Sequence, residues 1–156
     1  YAVRHFIQTQ DEAGSLAAIK ANLPVMAGTV VLEGASPSFP SAAQPEPTQR
    51  GEVVITLHEA QQVDMDVDVA EPSIVVLTDA YYPGWEAYVD GKATTVFRAN
   101  SVFRAVEVPA GEHRVSFRFR PRSLFWGMTI SLVSMGLVIA LVFLDRARRR
   151  HSQQIR

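Results

Sequence analysis

Gln62-Val-Asp-Met-Asp-Val-Asp-Val69 alternates apolar and acidic side chains without a break, the period-two pattern of a strand that buries one face and wets the other. Val63, Met65, Val67 and Val69 share the face that seeks a core, and Asp64, Asp66 and Asp68 share the opposite one. Three aligned carboxylates invite a metal reading. A calcium loop, however, needs Gly after the third acid and a bidentate Glu further on, and Val69 occupies the Gly position. His5, His58, His113 and His151 are scattered without paired ligand spacing. No metal and no cofactor are expected, and repulsion among the three aspartates calls for nearby basic groups or water.

Outward from this strand the same period recurs. Glu52–His58, Ser73–Thr78, Trp85–Val89, Thr94–Arg98, Val102–Val108 and His113–Arg120 read as further short strands separated by turn signals, and together they predict an antiparallel β-sandwich-like region over 52–121. Asp90-Gly91 is the sharpest turn, because Gly after Asp permits the positive backbone angles of a tight hairpin. Pro109-Ala-Gly111 marks a second. In Val102–Val108, Val102, Arg104, Val106 and Val108 lie on one face and Phe103, Ala105 and Glu107 on the other, as in an interior strand. Upstream, Ala2–Gln8 and Thr29–Leu32 predict strands either side of a short helix from about Asp11 to Ala21, a small αβ element over 1–35 of the same domain. Residues 36–51, with Pro37, Pro40, Pro45 and Pro47, predict an exposed Pro-rich loop or a subdomain boundary.

Downstream the character changes. Leu124–Leu144 is uncharged over about 21 residues, enough to cross a roughly 30 Å hydrocarbon layer as one helix. Thr129, Ser131 and Ser134 are its only polar side chains, and their hydroxyls can bond back to the helix. Gly127 with Ser131, and Gly136 with Ala140, are each four residues apart and offer small faces for another helix. Trp126 suits an interfacial anchor. No Leu-Pro-x-Thr-Gly sorting site precedes the helix, and Pro45-Glu-Pro47 lies too far upstream to act as a sorting signal, so a permanent anchor is expected.

Charge divides the chain at the same place. Residues 1–117 hold 15 acids and 7 bases, whereas residues 118–156 hold 1 acid and 8 bases. Arg146, Arg148, Arg149 and Arg150, with Arg156, predict a cytoplasmic tail over 145–156 and place 1–121 outside, against a smaller outer cluster of Arg118, Arg120 and Arg122. The absence of cysteine excludes a disulfide framework and thiolate metal sites. No serine elbow, phosphate loop or dinucleotide fingerprint is present. The chain opens at Tyr1 rather than at methionine, which predicts a C-terminal piece of a longer polypeptide.

Tyr81-Tyr-Pro-Gly-Trp-Glu-Ala-Tyr-Val-Asp-Gly-Lys92, Phe97-Arg-Ala-Asn100, Phe103-Arg-Ala-Val106, Val108-Pro-Ala-Gly-Glu-His-Arg-Val115 and Phe117-Arg-Phe-Arg-Pro121, followed at once by an apolar helix, resemble the C-terminal end of the YfhO-type bacterial membrane proteins. The resemblance is dense over 73–144 and reaches 1–70 only through the general strand pattern. It implies a large polytopic parent, similar to the lipid-linked sugar transferases of the GT-C class that decorate cell-envelope polymers, ending in an extracytoplasmic β domain and a last membrane helix. The catalytic carboxylates of such a transferase are expected on loops between early helices, so this chain is expected to carry no catalytic residue of its own. The implied partners are membrane lipid, other helices of the parent, and an envelope glycopolymer or lipid-linked sugar, with no nucleic acid. A single-pass, membrane-anchored binding or structural module is the alternative, and the full reading frame separates the two.

The motif residues Tyr82, Pro83, Gly84, Trp85, Asp90, Gly91, Asn100, Phe103, Arg104, Gly111 and His113 are expected to be structural. Pro83 and Gly84 suit a turn into the strand beginning at Trp85, and Asn100 a turn after Arg98. Tyr81, Tyr82, Trp85 and Tyr88 can either pack a core or form an aromatic platform for a sugar ring. Trp85, Tyr88, Arg98 and Arg104 are the candidates for sugar or anion contact, the arginines through forked hydrogen bonds.

Overall fold

The structure is a computed structural model and describes residues 1–22, 28–44 and 51–153, with side chains in the last helix described at 123, 124 and 126–142. It forms two compact units, Tyr1–Arg120 and Pro121–Arg156.

The first unit runs β1 (Ala2–Val3), β2 (His5–Thr9), α1 (Glu12–Asn22), β3 (Thr29–Glu33), β4 (Gly51–His58), β5 (Gln62–Val69), β6 (Ser73–Ala80), β7 (Trp85–Val89), β8 (Lys92–Thr94), β9 (Phe97–Ala99), β10 (Phe103–Val108) and β11 (Gly111–Phe119). It is mainly β and sandwich-like. One sheet has the order β1-β6-β10-β9-β3-β2 and the other β4-β5-β11-β7-β8. Val63, Met65, Val67 and Val69 of β5 meet Val75 and Leu77 of β6, Val106 and Val108 of β10, and Val115 and Phe117 of β11 in a core shared by both sheets. Full burial of each such side chain contributes roughly 1.5–3 kcal/mol.

The pairings among β4–β11 are antiparallel, as expected over 52–121, and two strand expectations are corrected. Ala2–Gln8 is not one strand: it breaks at Arg4, β1 pairs antiparallel with β6, and β2 runs parallel to β3. Parallel neighbours need a crossover, which passes through α1, whose first turn is capped by Asp11 Oδ1 accepting the Gly14 N–H (2.8 Å). Thr94–Arg98 is not one strand. β8 stays with β7 in a hairpin, whereas β9 pairs with β10 and β3 in the other sheet, where Phe97 and Ala99 are buried. Pro109–Gly111 likewise carries the chain between sheets, from β10 to β11.

The acidic side of β5 is unevenly wetted. Asp66 and Asp68 are exposed, but Asp64 is only 6% exposed and accepts hydrogen bonds from Gln62 Nε2 (3.0 Å) and Ser116 Oγ (2.8 Å). The described part of the Pro-rich segment is also less free than its composition predicts. A second apolar cluster, with Val30, Leu32, Ile74, Val76, Phe97, Ala99 and Ala105, covers the far face of the six-stranded sheet, and Phe6 and Phe39 pack against it. The two rings meet edge to face at 5.7 Å, while Ser41 Oγ accepts the Phe6 N–H (2.8 Å). Residues 45–50, including Pro45 and Pro47, lie outside the described residues.

The second unit is one helix, α2 (Arg122–Gln153). Among the described residues no helix is long and apolar enough to cross a membrane. The membrane span expected at Leu124–Leu144 is therefore not supported by the structure, which shows that segment only as helix. Gly127 and Gly136 have open space where a side chain would begin, and Ser131 and Ala140 are exposed. The side chains of Arg146, Arg148, Arg149 and Arg150, on which the expected topology rests, lie outside the described residues.

Candidate functional site

Strand alternation places Arg104 on the same face of β10 as Val106 and Val108, which delivers a guanidinium into the inter-sheet core. Arg104 is 2% exposed. Its Nη2 donates to Asp79 Oδ2 (2.9 Å), and its Cζ lies 3.6 Å from the centroid of the Trp85 ring. The Trp85 ring is tilted against Phe119 at 5.2 Å. An irregularity supplies Asp79: the β10–β6 register jumps from Phe103↔Ala80 to Arg104↔Leu77, leaving Thr78 and Asp79 outside the regular pairing. Burial pushes the guanidinium below its ordinary value, and the Asp79 charge and hydrogen bond oppose that shift. Asp79, with 38% of its side chain exposed, also meets His58 Nε2 at 3.2 Å. A polar chain thus runs from Trp85 in the core through Arg104 and Asp79 to His58 at the surface.

The other arginine candidate belongs to a different construction. Arg98 Nε donates to the Ser101 carbonyl (2.6 Å), and its Nη1 lies 3.3 Å from carboxylate oxygens of both Glu12 and Glu33. Beside it, Asn100 adopts a φ of 49°, donates its N–H to Val31 O (2.8 Å) and accepts the Val31 N–H at Oδ1 (2.8 Å). Ser101 Oγ pairs with Ser15 Oγ (2.9 Å) in a buried contact with α1. The turn between β9 and β10 is therefore sewn to β3 and α1.

On the outer face of the five-stranded sheet, Tyr88 donates its hydroxyl to Glu86 Oε2 (2.7 Å), with the Arg118 guanidinium 5.5 Å from its ring centroid. The Glu86 hydrogen bond raises the Tyr88 phenol. The β7–β8 hairpin turns on Asp90 and Gly91, with φ of 50° and 77°, the left-handed values of a tight turn. Asp90 Oδ2 receives His113 Nδ1 (2.7 Å), and Asp90 Oδ1 accepts the Arg114 N–H (2.9 Å), so the turn is tied back to β11. Tyr82–Gly84 forms the entry to β7. Tyr82 is 64% exposed, Gly84 has a φ of 109° at which a side chain would be strained, and Gly84 O accepts the Arg120 N–H (2.6 Å).

The four candidates for sugar or anion contact do not form one surface. Trp85 and Arg104 meet, but the guanidinium covers the indole face. Tyr88 projects from the opposite face of β7, and Arg98 belongs to the other sheet. Alternation along β7 puts Trp85 and Tyr88 on opposite faces, so these two share no platform. Sequence reasoning missed Asp79 and His58 as partners of Arg104. The parity of Arg104 with Val106 and Val108 marks its burial, but nothing local marks the partners. An open groove of about 500 Å³ on the five-stranded sheet is lined by Glu52, Asp66, Asp68, Glu112 and His113 among others, and no group of side chains able to hold a metal ion occurs among the described residues.

Two stacked sheets braced internally by an Arg–Trp pair, followed in the chain by a long helix, define a β-sandwich module. Residues 45–131, more than half of the chain, match the family described as bacterial membrane protein YfhO, and the chain belongs to that family. The matched segment takes in β4 to β11 and the start of α2. No curated protein and no solved structure matches the chain.

Proposed function

We propose that this chain is the extracytoplasmic accessory domain and last membrane helix of a YfhO-type protein whose remaining part transfers sugar from a lipid-linked donor to a cell-envelope polymer. The observation that carries the reading is the uncharged Leu124–Leu144 run, helical within α2, flanked by arginines on both sides and joined directly to the family-matched sandwich. A segment of this length and composition is stable as a bilayer span because every backbone group is satisfied within the helix.

In this reading the sandwich positions rather than reacts. Tyr88, with Glu86 and Arg118 beside it, is the aromatic whose surroundings suit a sugar hydroxyl or an anionic group, whereas Trp85 is committed to Arg104. The small residues Gly127, Ser131, Gly136 and Ala140 give α2 a face for neighbouring helices of the parent. The arginine tail 145–156 lies in the cytoplasm and residues 1–121 outside.

The test uses the full reading frame with a reporter, active only outside the cytoplasm, fused after Arg156. The reporter is expected to be inactive there and active when inserted in the exposed Asp90–Lys92 turn. Activity after Arg156 reverses the orientation. Release of the chain from membranes by alkaline carbonate removes the anchor reading altogether.

A further inference from the structure

We infer that the end of the sandwich at which β11 finishes is a lipid-seating surface, in which Tyr82 and Val102 enter the interfacial layer of the bilayer while Arg118 and Arg120 meet the phosphate groups of anionic phospholipid. The inference rests on the anchor reading of α2 and adds a second, independent contact of the first unit with lipid. Isolated exposed apolar residues need no explanation. These two are not isolated from each other: Tyr82 is 64% and Val102 53% exposed, and Tyr81, next to Tyr82, donates its N–H to Val102 O (2.7 Å).

The same turn is fastened to the end of β11. Gly84 O accepts the Arg120 N–H (2.6 Å), and only Pro121 separates Arg120 from the first residue of α2. Two residues of chain span at most ~7 Å, so a helix that enters a bilayer brings Arg120 and the turn hydrogen-bonded to it close to the interface. The side-chain chemistry suits that depth. Tyrosine presents an apolar ring and a polar tip, the combination enriched where hydrocarbon meets water, and valine adds apolar area beside it. Arg120 is 61% exposed and 4.0 Å from Glu86, and Arg118 is exposed over the Tyr88 ring. Glu86 beside Arg120 and Glu59 in the turn fastened to Phe119 offset much of the arginine charge, so the match to a lipid phosphate rests on the forked guanidinium donors and not on a net positive field.

The chain has no cysteine, so single labels can be introduced cleanly. Full-length chain carrying Tyr82→Cys, Val102→Cys, Ala110→Cys or Leu137→Cys, each spin-labelled, is reconstituted in vesicles of phosphatidylcholine with phosphatidylglycerol, and collision with an aqueous nickel chelate is compared with collision with oxygen. Labels at 82 and 102 are expected to lose nickel accessibility relative to 110, which lies in the β10–β11 connection, and the label at 137 is expected to be deepest. If 137 is deep while 82 and 102 are as accessible as 110, the seating surface is overturned and the anchor stands. An aqueous label at 137 overturns both. Using 82 and 102 separately guards against a local defect at either one, and R118Q/R120Q is expected to restore nickel accessibility at 82. No change in that variant removes the arginines from the contact.

Discussion

At the scale of single residues, Arg104 and Asp79 form an asymmetric pair: the cation is 2% exposed and the carboxylate side chain 38% exposed. Removing the cation leaves an aspartate that water can reach, whereas neutralising the anion leaves a guanidinium in the core, beside the Trp85 and Phe117 rings, without its counter-charge. Asp79→Asn is therefore expected to destabilise the sandwich by about 2–3 kcal/mol and Arg104→Met by about 1 kcal/mol or less. Denaturant midpoints of the two variants in detergent check the order, and a larger loss for Arg104→Met removes the asymmetry. His113 and Asp90 form a second pair, with 17% and 49% of their side chains exposed. The Asp90 hydrogen bond holds His113 above its ordinary value of 6.5, and the His113 and Arg114 hydrogen bonds hold Asp90 below its ordinary value of 3.8. The histidine contribution is complete below its unfolded value and is lost as pH rises through the higher folded one. The aspartate contribution is present above its unfolded value and is lost as pH falls through the lower folded one. Wild type should melt above His113→Gln at about pH 5, with the gap closing by about pH 8.5. An unchanged gap across that range contradicts the pairing.

At the scale of elements, the period-two signal is read correctly where a strand stays in one sheet. β5 occupies Gln62–Val69 and β7 occupies Trp85–Val89, and β10 is buried on both faces between β6 and β9. The signal fails where a run is split between distant partners: at Arg4, where the chain leaves one edge of the six-stranded sheet for the other, and at 95–96, where it changes sheet. Alternation records which side of a strand is apolar, and says nothing about which distant strand will pair with it. Asp79 was illegible for the same reason, since its role depends on a register jump between β6 and β10 that neither segment encodes alone. Turns are more local and therefore more legible. Gly91 has a φ of 77° with open space around its missing side chain, so Gly91→Val is opposed by backbone strain and not by a clash. It is expected to cost about 1–2 kcal/mol, and to lower the melting temperature by roughly 4 °C or more. Gly91→Asn, whose side chain tolerates the left-handed region, should recover most of the loss. Equal losses for Val and Asn would mean that the hairpin does not depend on the left-handed conformation.

At the scale of the whole molecule, composition and charge are legible without any fold: an acidic sandwich, an uncharged helical run and a basic end. The orientation proposed above rests on a difference between two arginine clusters, of three and five residues. Arg118, Arg120 and Arg122 precede the run, and Arg146, Arg148, Arg149, Arg150 and Arg156 follow it. Basic residues within about 15–20 positions of a span set its direction, and acidic ones contribute little, so Asp145 does not offset the tail. The proposed topology is accordingly held by a modest excess that substitution can reverse. Replacing Arg146, Arg148, Arg149 and Arg150 with Gln leaves Arg156 alone on the tail against three arginines on the other flank. In the full reading frame, with the reporter after Arg156, this variant is expected to gain extracytoplasmic activity relative to wild type. Adding Arg118→Gln, Arg120→Gln and Arg122→Gln should suppress that gain, because the opposing cluster is then gone. Silence of the reporter in the four-residue variant, with the protein present in the membrane at wild-type levels, would show that preceding segments of the parent and not these arginines fix the orientation.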